Sequence, residues 1–245
     1  MRTIRVHVDM PLQAGIEVGL PEDAAQHLVR VLRLQVGDAC VVFDGRGHEF
    51  DARIVVAGKR EVRVALDAVR EVRNESPLRL VLLQGIARGD KMDLILQKAT
   101  ELGVHAVHPV FSQRSEVKLD AERAAKRVAH WRGVVVAACE QSGRATVPRV
   151  ADPVSLAAAS TQLPLDGMRL LLDPFADVSL STLTIEPAAS VVLAIGPEGG
   201  WSPLDRDQLL IAGFTGLRLG PRVLRTETAG LAAIAALQAR FGDLG

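Results

Sequence analysis

At 245 residues, with 48% apolar and 24% charged side chains and equal numbers of basic and acidic residues, the chain reads as one large or two ordinary globular domains, which excludes disorder as its main state. No apolar run nears the roughly 20 residues that span a bilayer, and the opening MRTIRVHVDMP lacks the apolar stretch of a secretory signal, so no membrane partner and a cytoplasmic location are expected. Cys40 and Cys139 lie far apart, with neither a CxxC spacing nor His-rich company, which argues against a disulfide framework and structural zinc and suits buried thiols.

Up to about residue 70 the pattern alternates apolar and polar positions: TIRVHV, CVVFD, EFDARIVV and EVRVALDAV. Asp44-Gly45 between two of these runs is a favoured hairpin pair. Only EDAAQHLVRVLR, residues 22 to 33, reads as a helix, with Ala25, Leu28, Val29 and Leu32 on one face and His27, Arg30 and Arg33 on the others. A small β-barrel or sandwich is expected here, closed by the polar stretch REVRNESP before Pro77. The domains are placed at residues 1–72 and 73–245.

Beyond that stretch the rhythm becomes strand, loop, helix. LRLVLLQGI is almost continuously apolar, as in a strand covered on both faces. Asp90 is positioned to cap the helix KMDLILQKATEL, with Met92, Ile95, Ala99 and Leu102 as its apolar stripe and Gly103 as its stop. VHAVHPVF reads as a strand, and AERAAKRVAHWRGVVVAACEQ as a long helix keeping Val128, Trp131, Val135 and Ala138 on one face. MRLLLD, SVVLAIG and FTGLRLG give further strands, and TETAGLAAIAALQARF a closing helix. This alternation predicts an α/β domain with a parallel sheet.

Charge is uneven along the chain. Residues 79 to 149 carry 12 basic against 7 acidic side chains, a net +5, while residues 150 to 245 carry 6 against 10. Such an excess suits a phosphate-facing surface, or equally a solvated helix face. The scattered histidines, His105 and His108 among them, lack helical metal-ligand spacing, and no metal is expected.

The stretch IGPEGGWS, Ile195 to Ser202, follows a buried strand and carries three glycines. Glycines there let a ligand reach main-chain N–H and C=O groups, at the strand end where open α/β sheets bind ligands; a plain tight turn is the alternative. GPRVLRTETA, residues 220 to 229, repeats the arrangement, with Thr226 placed to cap a helix and Glu227 in its first turn. Two such loops can face one pocket. Dinucleotide, P-loop, hydrolase-elbow and HExxH fingerprints are all missing.

KMDLILQKATELGV, RSEVK, AACEQSGR, IGPEGGWS, LGPRVLRTETA and RFGDLG, in this order over essentially the whole chain, resemble the RsmE family, the bacterial 16S ribosomal RNA (uracil-N3)-methyltransferases of the SPOUT superfamily. HLVRVLR and FDGRG likewise resemble that family's PUA-like RNA-binding β-barrel. Residues 152 to 168 carry no recognisable motif. The resemblance implies an α/β domain with a trefoil knot behind the barrel, a homodimer, and S-adenosylmethionine as cofactor. By position it assigns cofactor contacts to Leu172, Asp173 and Pro174, to Ile195, Gly196, Pro197, Glu198 and Gly199, and to Leu219, Gly220, Arg222, Val223, Leu224 and Arg225. Its substrate would be 16S ribosomal RNA, in an assembled 30S subunit.

Uracil N3 holds its proton at neutral pH, so transfer is helped by a base or by a cation that steadies the anion. N3 also lies on the pairing edge, so the uridine must be unpaired or turned out. Arg225, with Arg222 second, is the candidate for the anion, and Glu198 and Glu140 are the candidates for the proton, each glutamate having a capping or ion-pair role as its alternative. RNA phosphates would fall to Arg30, Arg33, Arg88, Lys91, Arg114, Lys118 and Arg144. With no Tyr and few other aromatics, recognition should lean on charge and RNA shape. A methyltransferase of the same superfamily acting on another RNA position, or a non-catalytic ribosome assembly factor, are the competing readings.

Overall fold

The computed structural model describes residues 3–58, 61–115, 121–164, 167–186 and 190–245. Its contacts divide into two units, Met1–Glu75 with Val136–Val147, and Ser76–Val135 with Pro148–Gly245.

The first unit is a five-stranded sheet of β1 (Arg5–His7), β2 (Glu17–Gly19), β3 (Ala39–Phe43), β4 (Glu49–Ala57) and β5 (Val62–Arg70), in the order β1-β3-β4-β5-β2. β1 runs parallel to β3 and the other pairs are antiparallel. Period-two alternation sends Val42, Phe50, Ile54, Val64 and Leu66 to a shared core with Val6, Val18 and Leu28. Two register shifts between β4 and β5, between Phe50 and Ala52 and between Ile54 and Val56, bend the sheet locally. The turn between β3 and β4 is held by buried Asp44, whose Oδ1 accepts from the N–H groups of Arg46 at 2.8 Å and His48 at 3.1 Å. Burial raises its carboxyl, but these bonds and His48 outweigh that and hold it below the usual range.

The helix expected over residues 22 to 33 is interrupted. α1 covers Glu22–Gln26, and a π-helical turn, His27–Val31, follows, with Leu32 N–H bonded to the His27 carbonyl. Arg33, at φ 58°, takes the left-handed backbone that stops any further turn.

The second unit is an α/β layer built on β6 (Arg79–Gly85), β7 (Ala106–Phe111), β8 (Arg149–Val150), β10 (Met168–Leu172), β11 (Ser190–Ile195) and β12 (Thr215–Leu217), ordered β12-β10-β11-β6-β7-β8. β9 (Val154–Ser155) also pairs with β7, and every pairing is parallel. The central strands β6 and β11 are buried along almost their whole length, which explains their unbroken apolar sequences. One face, carrying Val81, Leu83, Val192 and Ala194, packs on Leu156 and Ala159 of α4 (Leu156–Ser160) and Leu209 of α5 (Pro203–Ile211). The opposite face receives α6 (Thr226–Phe241), whose Gly230 lies against Ile195 and which packs on α2 (Asp90–Glu101).

Helix α3 (Ala121–Ser142) begins in the second unit and ends in the first. Its Val128, Trp131, Val135 and Ala138 are all buried, as their spacing predicts. Asp90 is the first residue of α2 rather than its cap; Gly89 holds the cap position with no side-chain bond. Helix α5 has no counterpart in the expected elements, although Ser202 and Asp205 form a full capping box with Pro203 at the first turn. Both cysteines are free and buried, and burial pushes Cys40 up to about 11 and Cys139 to about 12. No described helix is long and apolar enough to cross a membrane.

Candidate active site

Because β12, β10 and β11 are neighbours and parallel, the loops at their carboxyl ends emerge side by side. They enclose a cavity of about 650 Å³, within the usual range for small-molecule sites. Every residue assigned above to the cofactor lines it, together with Lys91 and Arg114. Phe175, Trp201, Arg206, Leu217, Glu227 and Ala229, which the sequence did not assign to a site, line it as well.

The loop after β11 is held against the start of α6. The Thr226 hydroxyl donates to the Gly196 carbonyl at 2.6 Å and lies 3.2 Å from Gln84 Nε2, which also donates to the Gly85 carbonyl at 2.8 Å. Thr226 is therefore a bridge between the two loops, not the helix cap expected of it; the cap position is Arg225. Gly196 sits in a crowded turn: a Cβ there would lie 3.0 Å from the Gly200 and Trp201 backbone. Gly220, at φ 112°, takes a backbone that side chains rarely adopt.

Behind this loop Asp205 accepts weakly, at 3.3 Å, from the Gln113 N–H, and Arg114 Nη1 donates to the Gly199 carbonyl at 2.9 Å. Arg114, assigned above to RNA, thus braces the glycine loop while staying exposed. On the loop after β10, buried Asp173 accepts from the Phe175 N–H at 3.0 Å and pairs with Arg206 at 2.8 Å. Burial opposes its charge, but the arginine and the N–H prevail and lower its carboxyl. Arg206 is supplied by α5, so the Ser-Pro-x-Asp capping signal was the sequence clue to it.

Lys91, from α2, stands between two acids, with Nζ 3.4 Å from Glu198 and 3.8 Å from Glu227. Burial pushes the Glu198 carboxyl up, yet the Arg88 N–H at 3.1 Å, its own N–H and Lys91 hold it below the usual carboxylate range. A carboxylate stabilised this way is a weak proton acceptor. Glu227 differs: its buried Oε2 has no hydrogen-bond partner.

Two of the assigned residues are placed away from the cavity lining. Glu140 is not in the cavity lining; it belongs to the first unit, where its Oε1 accepts the His7 N–H at 3.1 Å. Arg144 is 4% exposed, with its guanidinium 2.5 Å and 3.1 Å from the Glu75 carboxylate. Arg30, Arg33 and Arg88 are exposed, and Lys118 lies outside the described residues.

The cavity fits a cationic nucleoside such as S-adenosylmethionine. Main chain and the apolar Leu172, Ile195, Leu217, Leu219 and Leu224 line it, and at Gly196 a Cβ would crowd the loop's own backbone. Among the described residues no group of His, Cys, Asp and Glu could hold a metal ion.

Known proteins resemble this chain over nearly its whole length. The RNA methyltransferase domain family matches residues 74–238, and the RNA methyltransferase PUA domain family residues 20–67. The ribosomal RNA small subunit methyltransferase E of Buchnera aphidicola (from Schizaphis graminum) is 31% identical, covering 99% of this chain and 98% of the relative, and that of Bacillus subtilis is 31% identical over 88% and 87%. The crystal structure of the Neisseria gonorrhoeae ribosomal RNA small subunit methyltransferase E, bound to S-adenosylmethionine, superimposes with a TM-score of 0.95 at 40% identity, covering both chains fully.

Proposed function

The chain belongs to the ribosomal RNA small subunit methyltransferase E family, and from that premise we propose that it transfers the methyl group of S-adenosylmethionine to N3 of a specific uracil in 16S ribosomal RNA, on the assembled 30S subunit. The observation that carries this reading is the cavity itself. Three strand-end loops, tied by the Thr226 to Gly196 bond, present main chain and apolar side chains to a ligand and leave carboxylates near a cation. When bound, the cofactor supplies a methyl group on sulfur whose leaving group is a neutral thioether, so no acid is needed.

What the protein must supply is position and the handling of one proton. Arg225, exposed at the start of α6, and Arg222 beside it are the cations for the anionic uracil. Lys91 and Glu198 pair in the cavity wall, and Glu198 is held by its bond from the Arg88 N–H. Arg30, Arg33 and Arg88 are suited to phosphates, and such binding weakens with salt. A cytoplasmic location, a homodimer and the knotted thread of the family complete the proposal.

The test is methyl transfer from labelled S-adenosylmethionine to 30S subunits from cells lacking this protein, with wild type beside Arg225→Ala and nucleoside analysis of the product. Label in 3-methyluridine with wild type, and its loss with Arg225→Ala, is the expected result. A different methylated nucleoside would move the reaction to another RNA position. Binding without transfer would leave an assembly factor. Light scattering checks the dimer.

A further inference from the structure

The cavity holds three carboxylates and no histidine, cysteine or tyrosine among its described lining residues, so among these the side-chain candidates for proton acceptor are Asp173, Glu198, Glu227 and the amine of Lys91. Asp173 is bonded by the Phe175 N–H and by Arg206. Glu198 takes the Arg88 N–H and lies nearest to Lys91, whose ammonium is engaged between the two glutamates. Of these groups only Glu227 keeps a buried carboxylate oxygen, Oε2, without a hydrogen bond. Its side chain is 16% exposed, and Lys91 at 3.8 Å offsets its charge beyond hydrogen-bond range.

A buried oxygen without a donor costs stability, and a catalytic role is one reason to retain it. The reaction brings a donor, the N3–H of the target base. We propose that Glu227 takes the N3 proton, an inference that rests on the methyl-transfer reading above. The N3–H bond breaks and the proton passes to the Glu227 carboxylate. The electron pair left on N3 forms the new N–C bond, the C–S bond breaks with its pair staying on sulfur, and Glu227 later gives its proton to water. Thr226, one residue earlier, is pinned to Gly196, which fixes the helix turn that carries this carboxylate. The other charged groups around the cavity are accounted for: Arg114 braces Gly199, Arg206 pairs with Asp173, and Arg222 and Arg225 remain for the anion.

The experiment measures single-turnover methyl transfer to 30S subunits for wild type, Glu227→Gln and Glu227→Asp, with S-adenosylmethionine binding followed by calorimetry. Glu227→Gln should keep its cofactor affinity and lose roughly 10²- to 10⁴-fold in rate, the usual share of a general base. Its residual rate should climb with pH as hydroxide removes the proton, while Glu227→Asp keeps the flatter wild-type profile at a lower rate. Subunits rebuilt with 5-fluorouridine at the target, whose N3–H is more acidic, should restore Glu227→Gln selectively. A Glu227→Gln rate and pH profile like wild type would overturn the inference alone. So would a large loss of cofactor affinity with a normal rate at saturation, which would give this carboxylate to the cofactor's ammonium group. If wild type itself forms no 3-methyluridine, the functional reading falls and this inference with it.

Discussion

In the first unit Glu49 is 3% exposed, and both its oxygens are taken, one by Arg5 and one by Arg70 at 3.0 Å; Arg144, just past the end of α3, pairs with Glu75, 69 residues earlier. In the cavity of the second unit the acids are unevenly served, and one of them keeps a buried oxygen without a donor. Charges that neutralise one another hold a fold together, whereas a charge left short of partners is available to a ligand. The same residue types therefore mean different things in the two units, and only their partners tell them apart.

Removing one member of the buried Arg5–Glu49 pair gives the sharpest test of that contrast. Glu49→Ala strands the nearly buried Arg5 guanidinium and should cost about 3–5 kcal/mol of stability, read from the denaturant midpoint, with cofactor affinity unchanged. A midpoint that did not move would place the first unit's charges in the same class as the cavity's. Gly196→Ala should do the converse. Overpacking against the Gly200 and Trp201 backbone costs about 1–3 kcal/mol, or roughly 5- to 150-fold in cofactor Kd by calorimetry. Thr226→Val keeps the shape but removes the bond to the Gly196 carbonyl; about 1 kcal/mol of affinity should go with it, and Thr226→Ser should restore it.

The smallest effect concerns pH. Burial, and then Arg149, lower His108 from its ordinary 6.5, and its Nδ1 has no partner. Below about pH 6.5 the unfolded chain protonates this imidazole while the folded chain resists, so stability falls as pH drops through that range. His108→Gln should flatten the slope of melting temperature against pH there; an unaltered slope would remove His108 from the account.

Glycine and period-two patterning made much of this visible in the sequence. The loops at Gly196 and Gly220 and the hairpin at Asp44 declare themselves because few residues tolerate those backbones, and β6 and β11 because unbroken apolar runs suit strands covered on both faces. Partner choice over long separations did not declare itself. Glu140 and Arg144 sit in a motif with functional spacing, yet folding commits them to His7 and Glu75, 133 and 69 residues away. Thr226 reads locally as a cap, but its hydroxyl serves Gly196, 30 residues earlier in the chain. Glu227 was visible as a first-turn acid, and nothing local says that one of its oxygens goes without a bond.

Helix α3 carries a further consequence for how the protein is made. The small apolar cluster beneath β3 joins Phe43 to Cys139 and Ala145, and β3's turn bonds to residues 145 to 147. During synthesis the N-terminal sheet therefore waits, partly uncovered, until those residues have left the ribosome, roughly 4–14 s after residue 75 at 5–20 residues per second. A gene cut at the apparent domain border would make that wait permanent, so the two halves are not interchangeable cassettes despite their separate cores.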